Sequence, residues 1–291
     1  MVIMGLNLGM TVYGKPLQLS QLYSKQYFRK RGSRILVPIL LAYLFSLIIG
    51  GVWFIVTGEN PFTFNEYSYI GLLPVTGKGN YFITLVLQSV LLLPIISYGL
   101  RYRPWLTSFI LVLAEVLFLL ISKHIALFNQ ESYLYDSAFL RYLSAIALGF
   151  GIADLIRKRN TIGVLLLTIG AMLSVIYLYL VVYKNIRLPM IRSEWKTQNF
   201  VSFPYAALLV YLGFRLFPSV ISDRLVKVLV EVGKASFHVF LIQVIYFGLA
   251  EPTWPLWLNL LLCTSVGYLF YSYESTLTKS IASVIGISKR T

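Results

Sequence analysis

The chain has 291 residues, 58% of them hydrophobic and 12% charged, with 25 lysines and arginines against 11 acidic residues for a formal net charge of +14. A soluble domain holds about 25% charged residues, and the mean hydropathy of +0.76 excludes that class. In so apolar a chain the positive surplus reads as loops beside anionic lipid, not as a nucleic-acid surface.

A run of about 20 apolar residues crosses a hydrocarbon core roughly 30 Å thick, and such runs recur from end to end. They are continuous rather than alternating, which argues for helices and against a β-barrel. The expectation is an all-α, polytopic transmembrane helical bundle forming one domain over residues 1–291. Residues 1–13, MVIMGLNLGMTVY, are too short for a crossing and lack the charged leader of a signal peptide. They read as a partial segment, with the chain opening inside a membrane helix. Eight full spans follow, at about 35–57, 81–100, 105–122, 138–156, 161–183, 200–217, 236–250 and 254–273. The span at 236–250 is short and leans on Lys234, which can snorkel to the interface.

Positive charge sets the orientation. The 14–34 segment, the RYR at 101–103, the RKR at 157–159, the 218–235 loop and the tail with Lys279, Lys289 and Arg290 fall on one side and hold most of the cations. That side is expected to be cytoplasmic, and with it the C-terminus. The outer loops, 58–80, 123–137 and 184–199, are longer and richer in Tyr, Asn, Ser and Glu.

Residues 27–41, YFRKRGSRILVPILL, carry the densest cluster of charge. On a helix Lys30 and Arg34 are four apart and Arg31 and Arg34 three apart, so these share a face while Arg29 points elsewhere. Guanidinium forks at a membrane boundary suit a polyphosphate. The same residues also suit a plain cytoplasmic anchor. Glu115 lies mid-span, either as a proton acceptor or as the ion-pair partner of Arg141. Asp154 is expected to pair locally with the RKR, and Gln88, Asn259 and Glu274 to line a polar interior. Of the two histidines, His124 falls in an outer loop and His238 in an apolar segment, where a lone imidazole reads as a packing residue. A single cysteine, Cys263, excludes an internal disulfide, and no Cys/His spacing suggests a metal site.

MGLNLGM followed by YFRKRGSRILVPILLAY resembles the second helix and arginine motif of the acyltransferase-3 family of membrane acyltransferases. Four further stretches resemble that family's segments in order: GKGNYFITLVLQSVLLLPII at 77–96, YLSAIALGFGIAD at 142–154, VGKASFHVFLIQ at 232–243 and LFYSYESTLTK at 269–279. The resemblance implies an integral membrane O-acyltransferase. It would take an acyl group, acetyl above all, from cytoplasmic acyl-CoA to a hydroxyl of a glycan or lipid-linked saccharide at the outer face. Implied with it are a cell-membrane location, no metal, and partner proteins of a polysaccharide pathway. It gives Lys30, Arg31 and Arg34 the role of holding the CoA phosphates, and Gly149 and Gly151 that of close helix approach.

Two departures bear on catalysis. The family's catalytic histidine sits on a first helix upstream of Met1, so the native chain is expected to carry one more helix. Within these residues only Glu115 and Glu274 offer themselves as catalytic groups. The helix that often ends Leu-x-His in the family reads LIQ, so Gln243 places a neutral amide where an imidazole would stand. His238 lies five residues earlier, about 140° around a helix, and points elsewhere. A non-catalytic transporter or scaffold in polysaccharide or lipid export remains the second class, although no inverted repeat or matched pair of broken helices supports it.

Overall fold

The computed structural model describes residues 1–12, 18–64, 71–186, 188–217, 224–249 and 255–284. Lys15, Lys289 and Arg290 lie outside these, as does the side chain of Lys279. In chain order the helices are α1 (Val2–Val12), α2 (Leu19–Leu22), α3 (Lys25–Thr57), α4 (Tyr81–Tyr102), α5 (Pro104–Ile121), α6 (Ala126–Gln130), α7 (Ser132–Asp136), α8 (Leu143–Lys158), α9 (Thr161–Tyr183), α10 (Phe203–Leu216), α11 (Arg224–Leu249) and α12 (Leu256–Val284). Short 3-10 turns at Phe139–Tyr142 and Ser193–Trp195 interrupt them.

Six helical stretches among the described residues are long and apolar enough to cross a membrane: Ser20–Thr57, Tyr81–Tyr102, Pro104–Ile121, Ser132–Lys158, Thr161–Tyr183 and Val226–Leu249. The protein is therefore an all-helical, multi-pass membrane protein. Three boundaries differ from the sequence expectation. The short span at 236–250 starts at Arg224, because Glu231 and Lys234 pair at 2.6 Å across one helical turn and let the helix run on into the polar region. The segment at 200–217 shortens to the 14 residues of α10, since Asn199 and Ser202 hold the preceding turn through bonds at 2.8 and 3.1 Å. The last helix is 29 residues long and continues past 273.

The chain divides into two compact units, Met1–Phe28 with Gln88–Pro218, and Arg29–Leu87 with Ser219–Thr291. In the first, α8 packs against α1, α5 and α10, and α10 against α9. Glycines allow the α1–α8 approach. Gly5 faces the Ile146 carbonyl, Gly149 faces the Val2 carbonyl, and a Cβ on Gly9 would stand 2.6 Å from that of Ala153. Between helices in lipid, such small residues let backbones come close enough for dispersion to hold them. Gly151 meets nothing within 4 Å, so close approach belongs to Gly149 alone of the expected pair. Pro94 has no N–H for the Val90 carbonyl, and Tyr27 Oη supplies the missing donor at 2.8 Å.

The second unit centres on Ile39, Ala42, Leu73, Ile83, Leu241, Val244 and Ile245, contributed by α3, the 71–80 loop, the start of α4, and α11. Gly77 lies against the Val244 carbonyl of α11, where any side chain would collide. On the other side of α3, Leu36, Leu40, Leu44, Ile48 and Val52 form an exposed row at four-residue spacing. In a membrane-spanning helix that row meets acyl chains.

Candidate functional site

Arg29, Lys30, Arg31 and Arg34 are all exposed in the opening turns of α3. The inward face of this helix is marked by buried Pro38, Ile39, Ala42, Ser46 and Gly50. Arg31 precedes Pro38 by two turns, which leaves it within about 20° of that face. Arg34 stands about 40° from Pro38, and Lys30 about 40° further round, toward the exposed apolar row. Arg29 lies about 180° from Pro38. The cluster thus splits. Arg31 and Arg34 stand over the interior of their own unit, while Lys30 and Arg29 face outward, as membrane anchors do. Pro38 cannot donate to the Arg34 carbonyl, which adds an acceptor at the same level.

Further along the same unit, the structure joins two residues that the sequence left apart. His238 on α11 is 5% exposed and Glu274 on α12 is 8% exposed. The imidazole Nε2 lies 3.5 Å from Glu274 Oε2. Among the described residues no hydrogen-bond partner reaches Nδ1. Phe270 and Tyr271 meet the imidazole ring nearly edge-on, at 5.0 and 5.2 Å between centroids. Close approach of the two helices brings this about: Gly267 of α12 lies against the backbone of Val239, and a side chain there would collide with it. Gln243, five residues beyond His238, is exposed. His124 is exposed as well.

Glu115 belongs to the first unit and is fully buried. Its Oε2 accepts the backbone N–H of Ser144 at 2.7 Å. Ser144 is the second residue of α8, whose first-turn N–H groups have no partner inside the helix. The carboxylate therefore caps α8 from the side of α5, where the helix dipole favours negative charge. It is not the ion-pair partner of Arg141. That guanidinium lies 3.8 Å from Asp136 Oδ1 and sits 3.8 Å from the Trp195 ring centroid and 4.4 Å from that of Tyr135. Trp195 in turn donates from Nε1 to Asp136 at 2.6 Å. Stacking on aromatic faces and pairing with one carboxylate are what allow a guanidinium to be buried.

The remaining polar groups have local partners. Asp154 pairs with Lys158 at 2.9 Å, as the sequence suggests. Gln88 bridges the Ser137 carbonyl and the Phe139 N–H at 2.9 and 3.0 Å. Asn259 accepts from Tyr246 Oη at 2.6 Å. None of these three is left to bind a substrate with its bonded atoms.

A multi-pass helical bundle with inward-facing arginines at one end of a span defines the class. The chain matches the family model described as an acyltransferase domain, that of the acyltransferase-3 family, over residues 1–275, and it belongs to that family. No curated protein and no solved structure matches it.

Sequence reasoning located the arginines because charge at a membrane boundary is visible locally. It missed the pairing of His238 with Glu274, which are 36 positions apart in sequence and meet only through helix packing. It also missed the glycine spacing of α1, although Gly5-x-x-x-Gly9 is a known signal for close helix packing.

Proposed function

We propose that this membrane acyltransferase takes an acyl group, acetyl first among candidates, from acyl-CoA on the cytoplasmic side to a hydroxyl of a glycan or lipid-linked saccharide. The observation that supports it most is the division of the α3 cluster. A pure anchor has no reason to aim Arg31 and Arg34 at the interior of a unit while Lys30 and Arg29 face outward. Two guanidiniums offer bidentate donors to the diphosphate and 3′-phosphate oxygens of CoA, and Lys30 adds charge at the rim. The distribution of lysine and arginine supports a cytoplasmic start for α3 and a cytoplasmic C-terminus. A cell membrane then holds the protein, and a polysaccharide-assembly pathway supplies the acceptor and partner proteins.

Equilibrium binding of acetyl-CoA to the purified full-length protein tests this reading. Replacing both arginines, Arg31→Ala with Arg34→Ala, should weaken binding at least tenfold. Binding equal to that of the parent would make the cluster an anchor only. Gln243→Ala serves as a control and should leave acetyl-CoA binding within a few-fold, because that side chain is exposed and lies away from the arginines in sequence.

A further inference from the structure

From the meeting of His238 with Glu274 we infer that these two residues form the proton-transfer dyad of the reaction, with His238 as general base and Glu274 as its positioning residue. The inference rests on the acyl-transfer reading above. Its geometry comes from the two helices. Successive helices packed side by side run antiparallel, and each side chain leans toward the N-terminus of its own helix. His238 and Glu274 therefore lean toward each other, and Gly267 against Val239 brings their helices close enough for the carboxylate to reach Nε2.

A carboxylate at Nε2 holds the proton on that nitrogen and leaves the lone pair on Nδ1, the atom with no hydrogen-bond partner among the described residues. A separation of 3.5 Å is loose for a hydrogen bond, and catalytic bonds are often long before substrate binds. The dyad also lies in the unit that carries Arg31 and Arg34. Ile39 of α3 and Leu241 of α11 belong to one core cluster. Arg34 precedes Ile39 by about 7.5 Å of helix rise and His238 precedes Leu241 by about 4.5 Å. With both helices running outward, as the charge distribution implies, arginines and imidazole stand on the same side of that cluster. The packing residue that the sequence suggests would have no need of a buried carboxylate beside it.

The step balances as follows. The acceptor O–H attacks the thioester carbonyl, forming the new C–O bond as His238 Nδ1 takes the hydroxyl proton. Collapse of the tetrahedral intermediate breaks the C–S bond. The imidazolium, held by the Glu274 carboxylate, returns its proton to the departing CoA sulfur. Ester and free thiol are the products, and the dyad ends as it began.

The test uses the full-length protein in lipid nanodiscs with acetyl-CoA as probe, reading its binding and the release of free thiol, with water or a hydroxyl-rich polysaccharide as acceptor. His238→Gln should lower thiol release at least 100-fold while acetyl-CoA affinity stays within about threefold, and Glu274→Gln should lower release at least tenfold. Retention of more than half the parental rate in His238→Gln overturns the proposal, as does a parent that binds acetyl-CoA yet releases no thiol with either acceptor. A second readout is independent of turnover. The chain has two histidines, so selective ¹⁵N labelling gives two imidazoles. Glu274→Gln should move the ring-nitrogen shifts of His238 and leave those of exposed His124 in place; unmoved His238 shifts overturn the dyad. A parent that fails to bind acetyl-CoA, with His238 still responding to Glu274→Gln, removes the acyl-donor reading and the dyad's catalytic role but leaves the pairing itself standing.

Discussion

Glu115 shows how burial and partner together decide what an ionisable residue does in a membrane span. A carboxylate at mid-span is costly enough to invite a functional reading, yet here one oxygen receives the Ser144 N–H at the start of α8. A cap needs an acceptor oxygen and not a titrating proton, so Glu115→Gln should keep the fold, with apparent stability within about 1 kcal/mol of the parent. Glu115→Ala leaves a buried N–H without its acceptor and should destabilise by about 1–3 kcal/mol. Thermal unfolding in detergent, with thiol release measured alongside, separates the two roles. A Gln variant that folds normally but is inactive would return Glu115 to the catalytic candidates. Sequence alone left these roles open because the N-terminus of α8 lies 28 residues away from Glu115 in the chain.

At the scale of helices, backbone proximity is what the glycines supply. The Gly149 hydrogen faces the Val2 carbonyl across the α1–α8 interface, and a carbonyl cannot rotate away as a flexible side chain can. Gly149→Ala should therefore destabilise by about 1–3 kcal/mol, the usual range for overpacking. Gly151→Ala, two residues on and open to space, should be neutral or slightly stabilising, since alanine favours helix over glycine by about 1 kcal/mol. Equal loss from both substitutions in a denaturant titration would mean that the two positions matter for a reason other than helix proximity. The α11–α12 contact follows the same logic at Gly267, where the side chain of alanine would push the two helices apart and draw Glu274 from His238.

For the whole molecule, the distribution of cations is the main guide to orientation. With Cys263 replaced by serine, single cysteines at Gln26 and Lys158 should react with a membrane-impermeant maleimide only from the cytoplasmic face, and those at Asn60 and Asn129 only from the outer face. Labelling of Gln26 and Asn60 from one side would refute the crossing assigned to α3. Lysine and arginine counts carry this information because flanking charge sets insertion. Span ends are less legible. At α11 a charged pair extends the helix by a turn and more beyond its apolar stretch, and composition does not distinguish a helix that continues into the polar region from a loop.

By itself the sequence determined the class, the helical architecture and the arginine cluster. Hydropathy over a bilayer thickness, and charge beside it, are properties of short continuous stretches. Five collinear motifs also carried the family, which the match over residues 1–275 shows. Only the tertiary structure decided which arginines face inward, that Glu115 caps α8 rather than pairing with Arg141, and that Glu274 comes to His238. Each of these depends on how one helix is rotated against another. That rotation is set by where glycines permit approach and where side chains fill the space between, and such pairings join residues far apart in the chain.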